Sequence, residues 1–276
     1  MRDRTELFTA VEHREARHAT EEELSLAHAS AYVVMVRDLA ASGGGRLDAD
    51  TVVAEGSWDA ATAAAGAVLD AVDLAASGEQ ARSFCAGRPP GHHALHDRAM
   101  GFCLFGSVAL GAHYARARHG LENILIVDWD VHHGNGTQAL VEATAAIRFV
   151  SMHQWPWYPG TGAASDRGPH GTIWNVPRPG GLPRERYVDS LIAAVGAATE
   201  DFIPDLILIS AGFDSMAGDP LGGFTLEPGD FASLTLWLRE QAEAWCGGRI
   251  VSALEGGYAP DRLAAGAIEH LAALAQ

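Results

Sequence analysis

The 276 residues carry a formal charge of −16 and are 48% apolar, which provides a large core and argues against a nucleic-acid backbone as main partner. Cys85, Cys103 and Cys246 are an odd set without a CxxC pair, which argues against a disulfide framework and for a reducing compartment. The opening MRDRTELFTA lacks the apolar core of a signal peptide and no apolar run approaches a membrane span, so a cytoplasmic protein without a membrane partner is expected.

No linker, repeat or charge block divides the chain, so one domain over residues 1–276 is expected. Residues 1–40 read as helical, with Thr20 and Glu23 forming a capping box, and Gly43–Gly45 breaks the pattern. A polar loop with Asp48 and Asp50 precedes a small-residue helix that Gly78 ends. A short strand over 82–86 leads into the proline-stiffened loop GRPPGHHA, which carries His92 and His93. A helix spans 101–120, and a strand begins at Ile124 with four aliphatic residues, the pattern of a strand buried on both faces. A helix near 136–144, a strand over 147–152, a long Trp/Pro/Gly-rich loop over 153–181 and a helix over 184–202 follow. Strand 205–210, helix 230–246, strand 249–254 and a helix from about Asp261 complete the chain. Helices alternating with short apolar strands specify an α/β fold with a largely parallel sheet.

In such sheets ligands sit beyond the carboxyl ends of the strands. Four strand ends carry unusual polar residues: His92 and His93; Asp128, Asp130 and His132; Asp214; and Tyr258. In extended backbone, residues two apart share a side, so Asp128, Asp130 and His132 start out facing one way. Two buried carboxylates side by side are costly without a cation between them, and oxygen with imidazole nitrogen suits zinc. Asp130, His132 and Asp214 supply three ligands and leave a position open, as catalytic zinc requires. The bland alternative is that the acids cap neighbouring loops. The adjacent His92 and His93 suit proton transfer, with Asp128 and Asn135 as orienting acceptors, against a purely structural pair closing the loop. Tyr258, after two glycines, has the hydroxyl to donate to an oxyanion, although GGY alone reads better as a Tyr packed at a turn. Phe102, Trp155, Trp157 and Tyr158 suit the walls of an apolar channel as well as ordinary packing under a long loop, and Asp50 reads more readily as a solvated loop acid than as a group at the channel rim.

Taken in order, RPPGHHA at 88–94, GFC at 101–103, DWDVHHGNGTQ at 128–138, SMHQWPWYPGTG at 151–162, SAGFDSMAGDPLGG at 210–223 and LEGGY at 254–258 strongly resemble the zinc-dependent histone deacetylase superfamily. Asn135 and Glu255 resemble its class II and bacterial branch, which includes histone deacetylase-like and acetylpolyamine amidohydrolases. The resemblance implies a three-layer α/β/α fold with a sheet of about eight strands, and Zn²⁺ on Asp130, His132 and Asp214. It implies His93 as general base and acid, oriented by Asn135, and His92 with Asp128 as an electrostatic pair. Tyr258 would polarise the acyl carbonyl, and Gly101, Phe102, Tyr158 and Asp50 would contact substrate. Structural K⁺ is implied at Asp128, Asp130, His132, Ser151 and Met152, with a second ion on the carbonyls of Val141, Thr144 and Ile147. Members usually open with a short strand and a His-Pro-Glu-Arg-Pro segment that this chain lacks. The substrate expected is an acetylated lysine peptide or protein, or an acetylated polyamine. The short loop 153–162 leans toward an open rim and acyl-lysine. A binuclear Mn²⁺ ureohydrolase of the arginase type would need a second close carboxylate pair, which Asp214 and Asp219, five apart, do not match. A catalytically idle acyl-lysine binder is the remaining alternative.

Overall fold

The computed structural model describes residue 7 and residues 9–276. Four consecutive aliphatic side chains cannot alternate between core and water, and the strand they form, β4 (Ile124–Asp128), is buried at every position. It lies inside a six-stranded sheet of order β3-β8-β7-β4-β5-β6. The other members are β3 (Arg82–Cys85), β5 (Ile147–Gln154), β6 (Ile173–Arg178), β7 (Leu206–Ala211) and β8 (Ile250–Leu254), and every pairing is parallel. About eight strands were expected; among the described residues the sheet has six. The remaining strands, β1 (Gly45–Arg46) and β2 (Val52–Val53), pair antiparallel with each other instead of joining it.

Side-chain alternation divides each strand between two cores. Ile124, Ile126, Leu206 and Leu208 pack with α2 (Ser30–Ala41), α3 (Ser57–Ser77) and α4 (Ser107–His119). Leu125, Val127, Ile207 and Ile209 pack with α6 (Arg184–Thr199), α7 (Pro228–Cys246) and α8 (Pro260–Leu274). The result is the expected three-layer α/β/α arrangement. Two short helices, α1 (Glu21–Leu24) and α5 (Asn135–Val141), complete the elements used below.

Several boundaries differ from the sequence reading, each for a local reason. The helix expected over residues 1–40 falls partly on residues 1–6 and 8, outside the described residues, and residues 12–20 are not helical. There, Ala19 N–H donates to Thr62 O and Arg17 pairs with Asp70, which pins the segment along α3. The capping box is present: Glu23 N–H donates to Thr20 Oγ1 at 3.2 Å and Thr20 N–H to Glu23 Oε2 at 2.8 Å. The helix expected from residue 101 starts at Ser107, because Gly101 (φ 56°) and Phe102 (φ 65°) are left-handed. The expected loop 153–181 contains β6, whose Pro177 is tolerated because the strand is an edge that pairs with β5 alone. The helix α3 is, contrary to expectation, long and apolar enough by composition to cross a membrane, but 56% of that window is buried in the protein, against α4 and β3.

Small residues let these layers approach closely. A Cβ on Gly66 of α3 would stand 1.9 Å from Arg17 O. Gly66→Ala, a stabilising change in an exposed helix, should here destabilise by about 1–3 kcal/mol, read from urea unfolding. An unchanged or higher midpoint would contradict this packing.

His270 of α8 is fully buried, with Nδ1 2.6 Å from Thr235 Oγ1 and Nε2 2.8 Å from Ser252 Oγ. Burial lowers its pKa from 6.5 to about 3. The unfolded chain therefore gains the extra proton as pH drops below about 6.5, and stability falls by up to about 1.4 kcal/mol per pH unit down to about 3. Tm should decline between pH 7.5 and 5.5, and more gently in His270→Gln; an equally steep decline in the variant would remove His270 from the explanation.

Candidate active site and metal centre

From β4 the chain winds through β5 and β6 to one side, then returns to place β7 and β8 on the other. The order reverses between β4 and β7, and a crevice opens beyond their carboxyl ends. Asp128 ends β4, Asp130 and His132 lie in the bend just beyond it, and Asp214 follows β7; the three carboxylates are 0% exposed. Asp130, His132 and Asp214 each offer a ligand atom, all within 4.8 Å of one another.

Backbone donors hold the acids in place. Asp130 N–H donates to Asp128 Oδ1 (3.0 Å), His132 N–H to Asp130 Oδ1 (2.9 Å), Gly256 N–H to Asp130 Oδ2 (2.8 Å) and Val131 N–H to Asp214 Oδ1 (2.8 Å). Asp214 Oδ2 is buried without a hydrogen-bond partner, although His132 Nδ1 lies 3.2 Å away. Burial, then the charge of Asp130, pushes Asp214 up to about 7. Burial disfavours the charge of His132, but the carboxylates of Asp130 and Asp214 beside it outweigh that and raise its pKa to about 10. An orphaned buried carboxylate oxygen in a dense acidic cluster is the setting in which a divalent cation fits.

The histidine pair hangs over this cluster. His92 Nδ1 donates to Asp128 Oδ2 at 3.1 Å, and its Nε2 lies 3.7 Å from Asp130 Oδ1. Burial opposes its charge, but Asp130 and Asp128 hold its pKa well above the usual value. His93 goes the other way: burial, then the neighbouring His92, keeps it well below. Its Nδ1 is 2.7 Å from Asn135 Oδ1, and Asn135 Nδ2 donates to Met100 Sδ at 3.4 Å. That amide orientation makes His93 Nδ1 the donor and leaves Nε2 as the nitrogen with the lone pair. The sequence reading thus paired each histidine with the partner it has.

Tyr258 stands across the crevice, its ring centroid 6.5 Å from that of His132 and 5.9 Å from that of Phe102. Tyr158 sets its ring edge-on to His93 at 5.1 Å and to His132 at 6.0 Å. Phe102 and Tyr158 therefore flank the approach, 40% and 38% exposed. Gly101 is required beneath them, since a Cβ there would stand 2.3 Å from His93 Cδ2. Asp50 reaches this rim, but its Oδ1 already accepts from Gly101 N–H (3.1 Å) and Thr51 Oγ1 (2.8 Å). Of the residues tied to K⁺, Ser151 pairs in register with Asp128, beside Met152. Val141, Thr144 and Ile147 lie together where α5 turns into β5, linked by Thr144 N–H to Val141 O and Ile147 N–H to Thr144 O.

Two working residues escaped the sequence reading. Glu255 Oε2 accepts from Gly91 N–H (2.6 Å) and His92 N–H (3.0 Å), clamping the histidine loop to the end of β8. It is buried, which raises its pKa to about 7. Its signal was its place in the same strand-end motif as Tyr258. Asp219, weighed only as a metal partner for Asp214, instead binds the backbone of Tyr258 and Leu221.

Over residues 1–274 the chain matches the histone deacetylase domain family. It is 39% identical over 249 residues to a histone deacetylase-like amidohydrolase of Pseudomonas aeruginosa, covering 89% of this chain and 66% of that protein. It is 38% identical over 268 residues to the polyamine deacetylase HDAC10 of Homo sapiens, covering 90% of this chain and 39% of that protein. Among solved structures, the HDA15 HD domain superimposes with a TM-score of 0.89 at 37% identity, covering 95% of this chain and 74% of that one. The chain thus spans just under two thirds of the bacterial relative and about two fifths of the human one.

Gly256 tests the ligand cradle directly. A Cβ there would stand 2.1 Å from Asp214 Oδ2 and 2.6 Å from Asp130 Oδ2. Gly256→Ala should weaken divalent-metal binding by about 10–100-fold, measured by titrating Zn²⁺ into chelator-dialysed protein with unchanged circular dichroism. Wild-type affinity would rule out this cradle as the metal centre.

Proposed function

The chain belongs to the histone deacetylase domain family, and from that premise we propose that it is a Zn²⁺-dependent amidohydrolase, one domain over residues 1–276, that removes acetyl groups from lysine side chains. The reading is carried by the convergence on one crevice of the cluster Asp130, His132 and Asp214, the neutral His93 anchored on Asn135, and the Tyr258 ring opposite. The residues fit the ion: Asp214 Oδ2 is buried and accepts no hydrogen bond, and two carboxylates with one imidazole suit Zn²⁺. The chemistry such an ion supplies when bound is Lewis acidity toward the acyl carbonyl and the attacking water.

Each protein group then has one task. His93 Nε2 takes a proton from water as its oxygen bonds to the acyl carbon, and delivers that proton to the amine nitrogen as the C–N bond breaks. Asn135 holds the required tautomer. The protonated His92, paired with Asp128, keeps His93 neutral and ready to accept. The Tyr258 hydroxyl donates to the oxygen on which negative charge develops, in a site whose buried walls strengthen that bond. Phe102 and Tyr158 exclude water along an extended alkyl chain.

An exposed rim of Phe102, Trp155, Trp157, Tyr158 and Leu221 favours an acyl-lysine with its neighbouring peptide. A polyamine carries a further ammonium group, for which Asp50, held at the rim by Gly101 N–H and the Thr51 hydroxyl on its Oδ1, is a candidate partner. The name of the human relative keeps acetylated polyamines as the second reading. Binding of K⁺ at the two groups of residues described above belongs to the same proposal. Asp219 faces two backbone N–H groups, which disfavours a second metal ion and a ureohydrolase.

On a fluorogenic acetyl-lysine peptide, His93→Ala and Tyr258→Phe should each lose about 10²–10³ in kcat with zinc content unchanged. Near-normal turnover in either variant would refute its assigned role. Acetylated polyamines assayed alongside should be hydrolysed at lower kcat/KM; the reverse order would move the substrate to the second reading.

A further inference from the structure

The hydroxyl of Tyr258 is useful only if its backbone is held, and the local chain does little to hold it. Two glycines precede it, and Gly257 has a φ of 146°, a conformation with no side chain to restrain it. The sheet's grip ends at Gly256: Glu255 N–H donates to Ala211 O, Phe213 N–H donates to Gly256 O, and Gly256 N–H donates to Asp130. Beyond that point the Tyr258 N–H donates to a side chain, Asp219 Oδ2, at 2.7 Å.

The other oxygen of that carboxylate has its own partner. Asp219 Oδ1 accepts from Leu221 N–H at 2.9 Å, and Leu221 O in turn accepts from Trp157 Nε1 at 2.8 Å. Trp157 adjoins Tyr158, the aromatic wall that packs edge-on to His93. One carboxylate therefore joins the tyrosine turn to the aromatic rim on the opposite side. Asp219 is 7% exposed, so both bonds are shielded, charge-assisted and directional. A neutral amide cannot replace it: Asn presents one acceptor oxygen and one NH₂, and must turn a donor toward one of the two N–H groups.

We propose that Asp219 is a positioning residue, whose carboxylate fixes the Tyr258 hydroxyl at the acyl oxygen while tying the Gly-Gly turn to the Leu221–Trp157 rim. This rests on the role given above to Tyr258. The hydrogen bonds of the Asp219 carboxylate go to the backbone of Leu221 and Tyr258, so its effect passes through the tyrosine.

The test is a double-mutant cycle between Asp219→Asn and Tyr258→Phe on the acetyl-lysine peptide, with zinc content and Tm measured for every variant. Asp219→Asn should lower kcat by about 10–100-fold with KM within about twofold, because the lost contact acts on the developing oxyanion and not on the bound ground state. Added to Tyr258→Phe, it should lower kcat by no more than about twofold further, since there is no hydroxyl left to position. A full second loss in the double variant would overturn the proposal, as would near-normal kcat in Asp219→Asn. Loss of zinc or a Tm fall of more than about 10 °C would also overturn it, since Asp219 would then hold the fold and not the tyrosine. Full activity of Tyr258→Phe alone would instead sink the underlying reading of the tyrosine, and this inference with it.

Discussion

Three carboxylates, Asp128, Asp130 and Asp214, are removed from water within one crevice, and the architecture around them is shaped by that constraint. Charges of one sign in a dry site repel, and each also loses its hydration. Here backbone N–H groups from four residues point at carboxylate oxygens, two histidines stand against them, and one oxygen of Asp214 is left for a cation. The parallel sheet makes this feasible, because β4 and β7 end side by side with their chains departing in opposite directions.

The same field sorts the two histidines. They are neighbours in sequence and their rings lie 4.0 Å apart, yet they behave oppositely. His92 faces Asp128 and Asp130 and is held charged. His93 faces an amide and the charged His92 and is held neutral. Burial disfavours charge on both rings, and only at His92 do the neighbouring carboxylates outweigh it. Glycine serves the site by permitting close approach: Gly101 lies under His93, and Gly256 lies against Asp130 and Asp214.

Much of this was legible in the chain because the chemistry is concentrated in short motifs at strand ends. The period-two spacing of Asp128, Asp130 and His132 showed a shared side, and the run Ile124–Val127 showed a doubly buried strand. Motif order carried the family, the α/β/α layering and the histidine partners. Reading β6 inside the 153–181 loop failed because its Pro and polar residues suit an edge strand, which sequence alone does not separate from a loop. Residues 12–20 were included in a helix read over 1–40, while pairing of Arg17 with Asp70 and of Ala19 with Thr62 decided otherwise.

By itself, the sequence determined which residue types stood at which strand ends, because side-chain period and turn residues are local properties. What only the tertiary structure decided was who faces whom across the crevice. Glu255 clamps the histidine loop from about 160 residues away, and Asp219 reaches Tyr258 across 39 residues of chain. A carboxylate's role is set by the donors that converge on it, and those donors come from segments that only the folded sheet brings together.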